Sequence, residues 1–173
     1  MEVRLLGGFS VRVAGRDVEE QAWRLRRART LIKLLALAPE RRLHRELLVE
    51  LMWPDEPPGG NSFHQVVYTA RRALGEAGTC VEMHDGVVTL AGDVWVDVDA
   101  FEAQAAEARV LRTTAVYREA LELYAGELLP EDRYEEWAQN RRAALHETQL
   151  ALRVELAALQ ATEGDRAGAV ETL

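Results

Sequence analysis

Two neighbouring stretches decide how this chain folds: Asn61–Gly75, NSFHQVVYTARRALG, and Val81–Leu90, VEMHDGVVTL. In the first, Phe63, Val66, Val67, Ala70 and Leu74 recur at three- and four-residue spacing, so they share one side of a helix running from about Asn61 to Leu74. His64, Gln65, Tyr68, Arg71 and Arg72 fall largely outside that stripe, which leaves the helix with one apolar and one polar, basic face. In the second stretch, Val81–His84 and Val87–Leu90 flank Asp85-Gly86, a dipeptide suited to the left-handed backbone of a two-residue hairpin turn.

Upstream, Pro54–Gly60 carries three prolines and two glycines and is expected to be a loop. Before it, Leu47, Leu48, Leu51 and Met52 form a short helical run that stops at Trp53-Pro54, because the residue preceding a proline is pushed out of the helical region. Earlier still, from Arg26, the residues Leu31, Leu34, Leu35 and Ala38 share a face, and Pro39 closes that helix. Residues 2–6 and 9–13 alternate apolar and polar around Gly7-Gly8, and Ala14-Gly15-Arg16-Asp17 supplies a further turn, the pattern of a short antiparallel meander. Beyond the hairpin, Val94–Val96 reads as one more strand completing a small sheet. A β-meander, three helices and a hairpin together make an α+β winged helix-turn-helix over residues 1–96. In that fold the third helix enters the DNA major groove and the hairpin is the wing.

From Asp97 onward the pattern is helical, with apolar stripes near Phe101–Leu111, Ala115–Tyr124 and Trp137–Leu159. Gly164-Asp165 then interrupts it before Ala167–Val170, as in the hairpin of a tetratricopeptide-type repeat. Residues 97–173 are therefore expected to form an all-α, tetratricopeptide-like domain whose last helix is cut short at Leu173.

Charge divides the chain at much the same place. The net charge is −8, yet through Gly75 there are thirteen Lys/Arg against nine Asp/Glu, whereas the remainder has eight against twenty. Two domains with different partners fit such asymmetry, the first compatible with nucleic acid and the second repelled by it. No stretch approaches the roughly 18 uncharged apolar residues of a membrane span. The opening MEVRLLGGFSVRV also lacks the apolar run of a signal peptide, so a cytoplasmic protein with no membrane partner is expected.

Other chemistries find little support. Cys80 is the single cysteine, and His44, His64, His84 and His146 stand at no metal-binding spacing, so no metal is expected. Gly-x-Ser-x-Gly, the P-loop and Gly-x-Gly-x-x-Gly are all missing, so neither an enzyme nor a cofactor is expected. Trp23, Trp53, Trp95 and Trp137 read as core or covering aromatics, since a duplex reader needs no exposed stacking platform. Glu131-Asp132 and Glu135-Glu136 read as solvated surface.

The candidate DNA-contacting residues are those of the third helix: Asn61, Ser62, His64, Gln65, Tyr68, Thr69, Arg71 and Arg72. Asn61 and Ser62 also suit a helix cap, a role compatible with phosphate contact through the first-turn amides. Arg71 and Arg72 suit phosphates or guanine edges. Arg27, within the basic run Arg24, Arg26, Arg27 and Arg29, is a further candidate for the DNA backbone.

LLGGFSVRV, HRELLVELMWPDEPP and NSFHQVVYTARRALG resemble the antibiotic regulatory protein (SARP) family, whose amino-terminal domain is an OmpR-like winged helix. VDVDAFEAQ and AVYREALELYAGELLPEDRYEEWAQNRRAALHE are similar to the bacterial transcriptional activator domain that follows it in that family. The resemblance implies four amino-terminal strands, three helices and a wing, then tetratricopeptide-like helices. It also implies a transcriptional activator that binds direct repeats in double-stranded promoter DNA, as a possible homodimer, and contacts RNA polymerase. One departure stands in the third helix: where family members often have Ser-Arg-Leu-Arg-Arg, this chain has Tyr68-Thr69-Ala70-Arg71-Arg72, one basic residue fewer. The alternative is a protein-interaction adaptor with a degenerate winged helix that does not bind DNA.

Overall fold

The computed structural model describes residues 1–55 and 58–173; Glu56 and Pro57, within the expected loop Pro54–Gly60, lie outside the described residues. The chain forms two compact units, Met1–Val3 with Ser10–Trp95 and Arg4–Phe9 with Val96–Leu173. Residues 4–9 thus pack apart from the rest of the 1–96 stretch.

In the first unit, β1 (Glu2–Arg4), β2 (Ser10–Val13), β3 (Arg16–Asp17) and β7 (Trp95–Val96) form a sheet in the order β3-β2-β1-β7. Three of these strands are amino-terminal and the fourth arrives from Trp95, so the sheet completed near Val94–Val96 is the meander's and not the hairpin's. Helix α1 (Arg26–Leu37) ends at Ala38, whose extended backbone (φ −75°, ψ 145°) is what the following Pro39 requires. Helix α2 (Arg45–Met52) ends at Trp53 before Pro54 in the same way. Helix α3 (Ser62–Leu74) buries Phe63, Val66, Val67, Ala70 and Leu74 against a core that includes Leu31, Ile32, Leu35 and Leu48.

The hairpin joins β5 (Val81–His84) to β6 (Val87–Leu90) with Val81 opposite Leu90 and His84 opposite Val87. Its turn residues Asp85 and Gly86 have φ of 49° and 77°, the paired left-handed conformation that matches the twist of the flanking strands. A third strand, β4 (Arg42–His44), pairs with the free edge of β6. Sequence reading passes over it as a link between helices, because three residues carry no legible alternation. Its existence rests on the neighbouring edge and on the reversal at Glu40 and Arg41, both with positive φ.

The second unit consists of α4 (Asp97–Leu111), α5 (Thr114–Leu123), α6 (Glu136–Thr162) and α7 (Arg166–Thr172) together with the extended segment 4–9. Asp165 caps α7 by accepting a hydrogen bond from the Gly168 N–H at 2.9 Å. The periodicity of residues 2–6 suggests one continuous strand, but only Glu2–Arg4 is in the sheet. Leu5 and Leu6 leave it and are buried in the second unit. Their backbone N–H groups donate to the Asp97 carboxylate at 2.9 Å, and Asp97 also accepts from its own neighbour Val98. On the other side of the segment, the Gly7 N–H donates to the Glu127 carbonyl and the Leu129 N–H to the Leu5 carbonyl, each at 2.9 Å. Gly126 must be glycine here, since a Cβ would come within 2.9 Å of the Gly7 Cα. The 127–133 loop is held in turn by buried Arg142. Its guanidinium donates to the carbonyls of Leu128 (2.9 Å), Asp132 (3.1 Å), Arg133 (3.3 Å) and Leu129 (3.4 Å), with Glu127 balancing its charge at 3.6 Å.

Two outcomes are expected. Val67→Asp places a charge with no partner on the buried face of α3 and should cost about 3–5 kcal/mol, visible as loss of the first unit's cooperative thermal transition. Asp97→Asn turns an amide N–H2 toward backbone donors and should cost about 1–3 kcal/mol in denaturant unfolding. Burial raises the Asp97 carboxyl above its ordinary range against the opposing pull of the Leu6, Leu5 and Val98 N–H groups. A raised folded value means this stability is complete below the ordinary carboxylate range and is lost as pH rises through the raised value. The wild-type advantage over Asp97→Asn should therefore narrow as pH rises, measured by urea unfolding across a pH series.

Candidate nucleic-acid interface

The buried stripe of α3 fixes what its other side presents. Asn61, His64, Gln65, Tyr68, Arg71 and Arg72 are exposed and Ser62 is half-buried, with Tyr68 62% exposed although it is a large aromatic. An aromatic left that open on a rigid helix is available to a partner. Helix α3 contains no carboxylate, and its basic residues lie in the last turn, where the helix dipole favours them. Asn61 occupies the capping position, but its side chain makes no capping hydrogen bond with a described residue, which leaves the amide outward. Among the expected contact residues Thr69 is the correction. It is buried, 9% exposed, because a 100° turn per residue carries it from the Tyr68 side onto the core side.

The two arginines of the last turn differ. The Arg71 Nε donates to the Val81 carbonyl at 2.8 Å in a partly buried hydrogen bond, whereas Arg72 makes no hydrogen bond or ion pair with a described residue. Arg27 is also committed. Its guanidinium lies 4.7 Å from the Trp53 ring centroid and its Nε donates to the Met52 carbonyl at 3.1 Å, so it closes the carboxyl end of α2. Within the same basic run, Arg29 pairs with Glu20 at 2.8 Å.

One residue that sequence reading passed over joins the site. Arg45, at the start of α2, places its guanidinium 5.5 Å from the Phe63 ring, and Phe63 in turn stands edge-on to His64. The Arg45 backbone N–H donates to the Gly86 carbonyl at 2.7 Å, tying the wing turn to α2. Its only signal in the sequence is a basic residue opening a helix, where an acidic one suits the dipole better. Beside it, His44 and His84 sit opposite Val87 on the two outer strands, so both histidines share one exposed face of the wing sheet. The described residues contain no group of three or more potential metal ligands, and no helix among them is long and apolar enough to cross a membrane.

Residues 96–173 match the model of the bacterial transcriptional activator domain. The whole fold is similar to the solved structure of Mycobacterium tuberculosis EmbR in complex with a low affinity phosphopeptide, with a TM-score of 0.81 and 23% sequence identity. That alignment covers 98% of this chain and 47% of EmbR, so the chain spans about half the length of the protein it matches. No curated protein sequence matches. Residues 96–173 thus match the bacterial transcriptional activator domain, and the fold of the chain, with a winged helix ahead of that domain, is similar to that of EmbR.

Proposed function

We propose that this chain is a sequence-specific, promoter-binding transcriptional activator in which α3 reads the major groove of duplex DNA. The observation that carries the reading is the exposed face of α3: His64, Gln65 and Tyr68 followed by Arg72, with no carboxylate on the helix and a hairpin wing beside it. Gln65 has the geometry to make a bidentate pair with adenine, and Arg72, free of protein partners among the described residues, has the geometry for phosphate. Asn61 and Ser62 lie at the helix start, where first-turn N–H groups favour an anion. The acidic remainder of the chain, with eight basic against twenty acidic residues beyond Gly75, suits protein contact and not DNA. RNA polymerase and a second copy on a direct repeat are the partners we assign to the activator domain.

The test is binding to a duplex selected from a randomised pool and to its scrambled counterpart, each over a range of salt. Wild-type affinity should fall steeply with salt, because every phosphate neutralised releases condensed counterions. Arg72→Ala should weaken both duplexes alike and lower the log–log salt slope by about one. Gln65→Ala should cost about 1–3 kcal/mol on the selected duplex and far less on the scrambled one. A protein that is folded yet indifferent to duplex DNA at low salt would be an adaptor, with the helical domain as its working part.

A further inference from the structure

Arg71 and Arg72 are adjacent, equally charged and both exposed, yet the structure gives them different surroundings. We propose that Arg71 is a positioning residue: it fixes the angle between α3 and the wing, and leaves phosphate contact at this helix end to Arg72. The proposal rests on the DNA-reading assignment of α3.

Arg71 is held twice. Its side-chain Nε donates to the carbonyl of Val81, the first residue of β5, at 2.8 Å. Its own carbonyl is covered by Gly78, where a Cβ would overlap the Arg71 backbone, so the turn joining helix to wing presses directly on the last turn of α3. Gly75, with φ of 57°, releases the chain from the helix into that turn. The side-chain bond therefore spans the same corner that the backbone turns, closing a loop over residues 71–81 around Gly75–Cys80. At the far end of the wing the Gly86 carbonyl is bound by the Arg45 N–H. The hairpin is thus pinned near both of its ends, once by a side chain. Between α3 and β5 lies a groove of about 730 Å³ lined in part by Tyr68, Arg71, Arg72, Met83 and His84. Its width follows from the Arg71 bond, and reading helix and wing must reach the duplex together, so a change in that angle alters which DNA shape is accepted.

Charge and hydrogen bonding at Arg71 can be separated by side-chain length. Glutamine carries an amide nitrogen at the same bond distance from the backbone as the arginine Nε, and no charge. Lysine carries the charge, with a methylene in that place. In the full chain, amide hydrogen exchange over residues 81–90 and salt-dependent binding to random-sequence duplex DNA are measured for Arg71→Gln, Arg71→Lys and Arg72→Gln. Arg71→Lys should speed wing exchange about tenfold, the scale of one lost charge-assisted hydrogen bond, while Arg71→Gln and Arg72→Gln leave it near wild type. In binding, Arg72→Gln should lower the salt slope by about one and Arg71→Gln should not. Arg71→Lys should keep the wild-type slope and lose discrimination between selected and scrambled duplex. A slope lowered by about one in Arg71→Gln, or unchanged wing protection in Arg71→Lys, overturns the proposal. A wild-type chain that binds no duplex overturns the DNA reading instead, and the exchange measurement then still decides whether Arg71 holds the wing.

Discussion

A helix of 3.6 residues per turn has two sides, and α3 can present a polar, basic face only because its other side is wholly given to the core. Phe63, Val66, Val67, Ala70 and Leu74 are each 3% exposed or less. That seating fixes rotation about the helix axis, and with it the direction of every outward side chain to within a few tens of degrees. The wing adds the second coordinate. Its register, set by the Asp85-Gly86 turn, places β6 where β4 can pair, and the resulting sheet keeps Val88 and Leu90 inward while His44, Val87 and His84 stay on the outer face.

Most of this architecture is legible in the sequence because it rests on local rules. Prolines 39 and 54 end α1 and α2, Asp85-Gly86 makes the hairpin, and the stripe of α3 separates core from surface. What escapes is non-local. Strand β4 exists through an edge that β6 offers, and Leu5 and Leu6, which continue the alternation of β1, are taken instead by a carboxylate 92 residues away. The same holds for the site. Sequence spacing places His64, Gln65, Tyr68 and Arg72 outward, but puts Thr69 in the same company, since a residue at the border of a stripe is assigned only by the packing around it. Likewise nothing in the chain order says that Arg27 lies over Trp53 or that Arg71 bonds to Val81.

The activator domain is organised around two charged groups that serve the backbone. Asp97 collects N–H groups from the segment 4–9, and Arg142 collects carbonyls from the loop 127–133. Each satisfies polar atoms that burial would otherwise leave unpaired, at about 1–3 kcal/mol apiece. The segment and the loop also pair with each other through Leu5, Gly7, Glu127 and Leu129, and the Phe9 N–H reaches the Glu131 carboxylate at 3.1 Å. A domain rich in surface carboxylates thus keeps a few charges for internal construction.

This capture of the segment 4–9 has a consequence for the order of events on the ribosome. Leu5 and Phe9 are made well before their hydrogen-bond partners, which lie 92 and 122 positions later. Contacts of such sequence separation carry a large loop-closure entropy and form slowly. The hairpin and its tie to α3 involve closer pairings, β5 with the adjacent β6 and Arg71 with Val81, and these can form while translation continues. The second unit cannot close so early, because its extended segment 4–9 waits for a loop and an arginine synthesised after it. In a growing polypeptide α3 and the wing can therefore form first, and the second unit closes only after the loop 127–133 and Arg142 have been made.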